Sequence, residues 1–214
     1  SEAIARRLPL AKPSAEPFGV ALIGYPLSRL EQDDLANISE LKRICEGIGA
    51  PVRSLWFDGG SVAGLSAAAD AAHFVSLPWG GQTARILGER IGRPVVETGV
   101  PVGLDGTVQW IRSLASAIGR TEMAEAFIER ELDEAVSTLE WAIPRGLMHR
   151  CVGIAADPLL AAALVECMAE MGVQIRSVDV LARVDSEADP VRRALEAARQ
   201  TAFVQVDSPF GVIE

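Results

Sequence analysis

Apolar runs of strand length alternate with amphipathic stretches of helical length along most of this chain. Phe18 to Gly24 (FGVALIG) is continuous and apolar, and Asp33 to Ile48 follows with Leu35, Ile38, Leu41, Cys45 and Ile48 recurring at helical spacing. Asp33 or Asp34 can accept backbone N–H bonds at the start of that helix, and Gly47 and Gly49 can stop it in the left-handed conformation. The rhythm continues with strands at Val52 to Phe57, His73 to Leu77 and Pro94 to Glu97, and with helices at Ser61 to Asp70, Gln82 to Ile91 and Thr107 to Ile118. Strict β/α alternation requires right-handed crossovers and builds a parallel sheet between helices. The fold class is therefore α/β, a Rossmann-like αβα open parallel sheet, with four strands expected over residues 17–120.

Thr121 to Trp141 predicts a long connector helix, assigned to residues 121–147, with Met123, Phe127, Leu132, Val136 and Leu139 available for packing and many acidic positions on its wet side. A second βαβαβ run then starts at Arg150, with strands at Arg150 to Ala156, Val173 to Ala182 and Ala202 to Val206 around helices at Pro158 to Met171 and Val191 to Gln200. Residues 148–214 are expected to form a second, incomplete αβα domain, with its open apolar edge pointing either to truncation or to cover from the first domain or a partner chain. Residues 1–16, with Pro9 and Pro13, are expected to be an arm or linker, with order beginning near Phe18. The start at Ser1 and the apolar tail Phe210 to Ile213 suggest a piece of a longer chain, and self-association through that tail is expected.

Composition narrows the function. The 214 residues carry 20 Lys and Arg against 29 Asp and Glu, a net charge of −9, with no basic cluster. Nucleic acid and anionic membrane are poor partners for such a chain. No apolar run approaches the roughly 20 residues that span a bilayer. The three cysteines, Cys45, Cys151 and Cys167, are far apart and form no CxxC, which fits a cytoplasmic protein with buried thiols and no metal site. His73 and His149 have no partner at ligand or catalytic spacing and are placed at surface or sheet-end positions.

Phosphate-loop motifs are absent: Gly24-Tyr25-Pro26-Leu27 is not GxGxxG, and no GxxxxGK[ST] occurs. Asp58-Gly59-Gly60-Ser61 is a tight connection with a cap. The most informative loop is Ser76-Leu77-Pro78-Trp79-Gly80-Gly81-Gln82, because ligands of open parallel sheets bind outside the carboxyl ends of the strands at the topological switch point. Gly80 and Gly81 at a helix start allow close approach of an anionic edge, and Trp79 offers a flat apolar face. Tyr25, Ser76, Trp79, Gly80, Gly81, Gln82 and Gly103 form the candidate cofactor-binding set. In Val100 to Thr107, Asp105 or Thr107 is expected to cap the next helix while Trp110 packs one turn later.

The succession GVALIGYP, ELKRICEGIGAPV, a DGG turn and HFVSLPWGGQTARILGERIGRPVVETGVPVGLDGTVQWIRSLASAIG resembles the middle domain of nitrogenase component 1-type subunits. That family includes nitrogenase molybdenum-iron protein chains, cofactor-assembly scaffolds, and the catalytic components of dark protochlorophyllide and chlorophyllide reductases. CVGIAADPLLAAALVECMAEMGVQI is similar to the entry into the third domain of the family, so the resemblance runs over about residues 18–182. It implies a subunit of an oxidoreductase that takes electrons from an ATP-dependent iron protein, pairs with a homologous component 1 subunit and holds an iron–sulfur cluster in the parent complex. Where some relatives carry a cofactor-ligating cysteine, this chain has Ser76-Leu77, so no cofactor is expected on this piece alone and no catalytic or metal-ligating residue is assigned. The PVGLDGT stretch resembles chlorophyllide reductase more than nitrogenase. The alternative reading is a non-redox, two-lobed ligand-binding or group-transfer protein, for example one that binds a nucleotide sugar, with Trp79 and the Gly80-Gly81 helix start as its anion site.

Overall fold

The computed structural model describes residues 2–10, 18–25, 34–57 and 61–207. The Asp33 cap, the Asp58-Gly59-Gly60 turn and the tail from Phe210 to Ile213 lie outside these residues. Contacts divide the chain into two compact units, Ser1–Gly99 with Trp110–Ile128, and Val100–Gln109 with Glu129–Glu214.

The first unit holds strands β1 (Val20–Ile23), β2 (Val52–Leu55), β3 (His73–Ser76) and β4 (Val95–Glu97). They form one parallel sheet in the order β2-β1-β3-β4. Every residue of β1 is buried, as a central strand covered on both faces requires. The chain steps from β1 to β2 in one direction and from β2 to β3 and β4 in the other. Right-handed crossovers therefore send helix α2 (Asp34–Gly47) to one face, and helices α3 (Val62–Ser66) and α4 (Gly81–Ile91) to the opposite one. On the α4 face, Ala21 and Ile23 of β1 and Phe74 of β3 pack with Trp56, Ala84 and Leu87. The indole N–H of fully buried Trp56 donates to Leu65 O at 3.2 Å, and Ser54 Oγ–H donates to Gly64 O at 2.7 Å, which ties α3 to β2.

The segment expected to be an arm or linker contains helix α1 (Glu2–Arg7), packed on α4. Ala5 and Leu8, three residues apart and so on one helix face, are buried in the same core. The Arg90 guanidinium donates to Ala5 O and, at 3.1 Å, to Leu8 O, supplying donors to carbonyls that the helix end leaves unpaired. Ser66 Oγ–H binds Pro9 O at 3.0 Å. The prolines that follow hid a helix too short to show a periodic pattern.

The second unit holds β5 (Cys151–Ala156), β6 (Gln174–Leu181) and β7 (Phe203–Asp207), parallel and in consecutive order. Same-handed crossovers between consecutive neighbours put helices α7 (Pro158–Glu170) and α8 (Asp189–Ala197) on one face, where they pack on each other. Ile154, Ala156, Val178 and Val180 meet Ala161, Val165, Val191 and Leu195 there. Residues of the other parity, Gly153 and Ala155 of β5 and Phe203 of β7 among them, are exposed. Asp157 caps α7 by accepting from Leu159 N and Leu160 N at 3.1 and 3.3 Å.

Two long helices, α5 (Gly103–Ile118) and α6 (Thr121–Gly146), each contribute residues to both units. In α6, Ala124, Phe127 and Ile128 are buried, whereas Met123 and Val136, expected to pack, are exposed. The start of α5 is not capped by Asp105 or Thr107. Glu170 of α7 does this instead: its carboxylate accepts from Leu104 N at 3.1 Å and Asp105 N at 2.7 Å. A carboxylate against the positive end of a helix satisfies two free donors and complements the dipole.

Replacing Glu170 with Ala should therefore cost about 1 kcal/mol in urea unfolding, within the range for a lost N-terminal cap. Burial, reinforced by the neighbouring Glu46 charge, pushes the Cys45 thiol up from 9.0 to about 12. A thiol neutral in the fold and ionised in the unfolded chain favours unfolding between those values. Stability should hold below pH 9 and fall above it by about 1.4 kcal/mol per pH unit from this group, and Cys45→Ala should flatten that alkaline limb.

Candidate functional site

At the carboxyl edge of the first sheet, β1 and β3 end side by side, with Ile23 opposite Ser76. The chain leaves β3 through Leu77, makes a 3-10 turn over Pro78–Gly80 and enters α4 at Gly81. Leu77 N–H donates to Ile23 O and Gly80 N–H to Leu77 O, both at 2.9 Å. Gly24, at φ 91°, faces Gly80 so closely that a Cβ on Gly24 would lie 2.3 Å from Gly80 N, and one on Gly80 would lie 2.6 Å from Gly24 Cα. The close approach that glycine permits here is thus made between two segments of the chain itself.

The candidate residues occupy distinct positions. Ser76 and Leu77 are 2% exposed, and Ser76 Oγ–H donates to Leu77 O at 2.9 Å. Tyr25 and Trp79 are half-buried and both are engaged in contacts. Gly81 has room: a Cβ there would meet only Ser76 Oγ, at 4.0 Å. The N-cap residue of α4 is Gly80, which has no side chain with which to cap it. Gln82 is exposed and lines a groove of about 510 Å³ with Arg6, Arg85, Ile86, Glu89 and Arg90. Two of these arginines are committed, Arg90 to α1 and Arg85 to Glu97 at 2.6 Å. Tyr25 and residues 76–82 therefore share the first unit.

Gly103 belongs to the second unit. At φ 75°, it packs against α7, where a Cβ would lie 2.6 Å from Glu170 Oε2 and 3.0 Å from Cys167 Cβ. It lines a small apolar pocket of about 180 Å³ with Leu104, Leu139, Ile143 and Met171. Glu170 and Cys167 also border a groove of about 380 Å³ with Asp105, Gln109 and Glu166.

The residue pattern did not reveal the contacts that hold the loop from behind. Trp110 Nε1–H donates to Thr98 Oγ1 at 2.9 Å, and Thr98 donates to Ser76 O through its hydroxyl at 3.1 Å and its N–H at 2.9 Å. The only sequence signal for this was a tryptophan on the apolar side of α5.

No group of three or more His, Cys, Asp or Glu that could hold a metal ion occurs among the described residues. Cys45 and Cys167 are buried and Cys151 is exposed, each in a different element. Burial, then the Glu170 charge, raises the Cys167 thiol as well. His73 opens β3, and burial followed by the nearby Arg93 charge lowers its pKa. Among the described residues no helix is long and apolar enough to cross a membrane.

Parallel sheets bordered by helices, with glycine-rich turns at a carboxyl edge, define an α/β protein of the open-sheet class. Residues 1–212 match the family described as nitrogenase component 1 type oxidoreductase, and the chain belongs to that family. No curated protein sequence matches it. Among solved structures, nitrogenase Cp1 at pH 6.5 is similar with a TM-score of 0.71 at 17% identity, covering 98% of this chain and 49% of that one. Nitrogenase Cp1 at pH 5 gives 0.69 at 13% identity, covering 96% and 47%. The chain thus spans about half the length of these structures, and at such identity they show a shared fold.

Gly80→Ala should destabilise the chain by about 1–3 kcal/mol or more, because the new methyl group meets backbone that cannot yield. Gly81→Ala places its methyl in open space at helical dihedrals and should be neutral or stabilising by up to about 1 kcal/mol. Urea midpoints of the two variants make the comparison.

Proposed function

We propose that this chain supplies part of the wall of a substrate or cofactor cavity in a nitrogenase-like oxidoreductase complex that receives electrons from an ATP-dependent iron protein. The observation that carries the reading is membership of the nitrogenase component 1 type family over residues 1–212. Support from the chain itself comes from the carboxyl edge of the first sheet, the position at which open parallel sheets bind ligands. There the N-cap position of α4 is a glycine, Gly80, and Gly81 leaves open space at the helix start, which suits an anionic edge, while half-buried Trp79 suits a planar apolar one. Ser76, Gly80, Gly81, Gln82 and Tyr25 belong to this wall.

An iron–sulfur cluster in the parent complex would supply single electrons. The residues described here do not fit such a cluster, since their cysteines stand in separate elements and two of the three thiols are raised by burial. Its ligands are proposed to come from other polypeptide in the complex. The task left to this chain is binding and orientation: Leu77 offers no ligating atom, and the loop presents backbone N–H groups and an indole. The proposed partners are a homologous component 1 subunit and the iron protein, in the cytoplasm, with self-association of the isolated chain as a further expectation.

The test is co-expression with a homologous component 1 subunit, followed by assay with iron protein, ATP and dithionite. The chain alone should show no turnover. In the active complex Trp79→Ala should raise KM roughly tenfold, equivalent to about 1.4 kcal/mol of binding, with iron content unchanged. Turnover by the isolated chain, or unaltered kinetics in the variant complex, would overturn the reading.

A further inference from the structure

We propose that Thr98 is a positioning residue for the carboxyl edge of the first sheet, fixing the backbone from which the loop of residues 76–82 springs. Its functional consequence rests on the cavity-wall reading above; its geometry does not.

Trp110 is 2% exposed, so its indole N–H needs an acceptor inside the protein, and Thr98 Oγ1 provides it at 2.9 Å. Accepting that bond leaves the hydroxyl proton free to point elsewhere, and it goes to Ser76 O at 3.1 Å. The N–H of Thr98 donates to the same carbonyl at 2.9 Å, so one residue supplies both of its hydrogen bonds. The next peptide is held the same way. Leu77 O accepts from Ser76 Oγ at 2.9 Å and from Gly80 N at 2.9 Å, and the first peptide is held further by its own N–H, that of Leu77, which donates to Ile23 O. Neither peptide plane can rotate without breaking two bonds, and the turn that follows is wedged against Gly24. A continuous chain of hydrogen bonds thus runs from Trp110 through Thr98, Ser76 and Leu77 to Gly80, one residue before α4 begins. Threonine at 98 is the only member that both accepts from α5 and donates to β3.

Three variants separate positioning from simple support. Thr98→Ser keeps both hydroxyl bonds. Thr98→Val keeps the shape but loses both and strands the indole donor. Adding Trp110→Phe to Thr98→Val removes that stranded donor, and a pair of partners replaced together by apolar groups can be nearly neutral in stability. The readouts are amide hydrogen exchange at Leu77 and Gly80 in the full chain and the melting temperature measured alongside. Thr98→Val should speed exchange about tenfold or more and lower the melting temperature. Thr98→Ser should restore both, whereas the double variant should regain the melting temperature and keep the fast exchange. If Thr98→Val does not fold, the serine and double variants decide the matter. Exchange at the rate of the unmodified chain in the double variant would overturn the proposal. In the assembled complex, KM should rise with exchange across the series. Fast exchange with unchanged KM would overturn the cavity-wall reading while supporting the positioning role of Thr98.

Discussion

The first unit depends on the approach of Gly24 to Gly80, where two backbones meet at a separation that leaves no space for a side chain on either. Gly24 follows the last residue of the central strand, and Gly80 closes the turn that launches α4. Because β1 is the strand at which the order reverses, its end is the place where crossovers to opposite faces would otherwise leave a gap. Closing that gap at the backbone lets Leu77 pair with Ile23 and sets Ser76 within reach of Thr98. The glycines therefore act on structure first, and any ligand at this edge meets a surface they have already fixed.

Most of the architecture was legible because it follows from periodicity. FGVALIG could be little but a buried strand, and the spacing of Ile38, Leu41, Cys45 and Ile48 allowed only one helix face. Contacts between distant parts of the chain were not legible. Glu170 lies more than sixty positions from the helix it caps, and nothing local marks it out from Glu166 one turn earlier. Asp105 had the right residue type at the right place for a cap and lost to it because a carboxylate on α7 reaches two N–H groups at once. The same holds for α1, whose Ala5 and Leu8 are ordinary residues until Arg90 and the α4 face are present.

For the candidate site the division is similar. The position of the loop at a carboxyl edge followed from topology, and its glycines were visible as such. Their separate duties were not: Gly80 is consumed by Gly24, while Gly81 remains open, although the two are adjacent in sequence. Gly103 looked like part of the same edge because it follows the next strand, yet its immediate neighbours are Glu170 and Cys167. Family membership supplies the chemical setting that residues 76–82 alone do not specify.

The two strand orders also carry a consequence for the order of assembly. In β5-β6-β7 each strand pairs with the one that follows it after a single helix, so every pairing closes a comparatively short loop. In β2-β1-β3-β4 the central pairing joins β1 to β3 across all of β2 and its flanking helices. Closing the longer loop costs more chain entropy before any contact rewards it, so the second sheet is the natural first nucleus and β1 with β3 the late, rate-determining registration. The candidate edge, built where β1 meets β3, would then be among the last surfaces of the first unit to form.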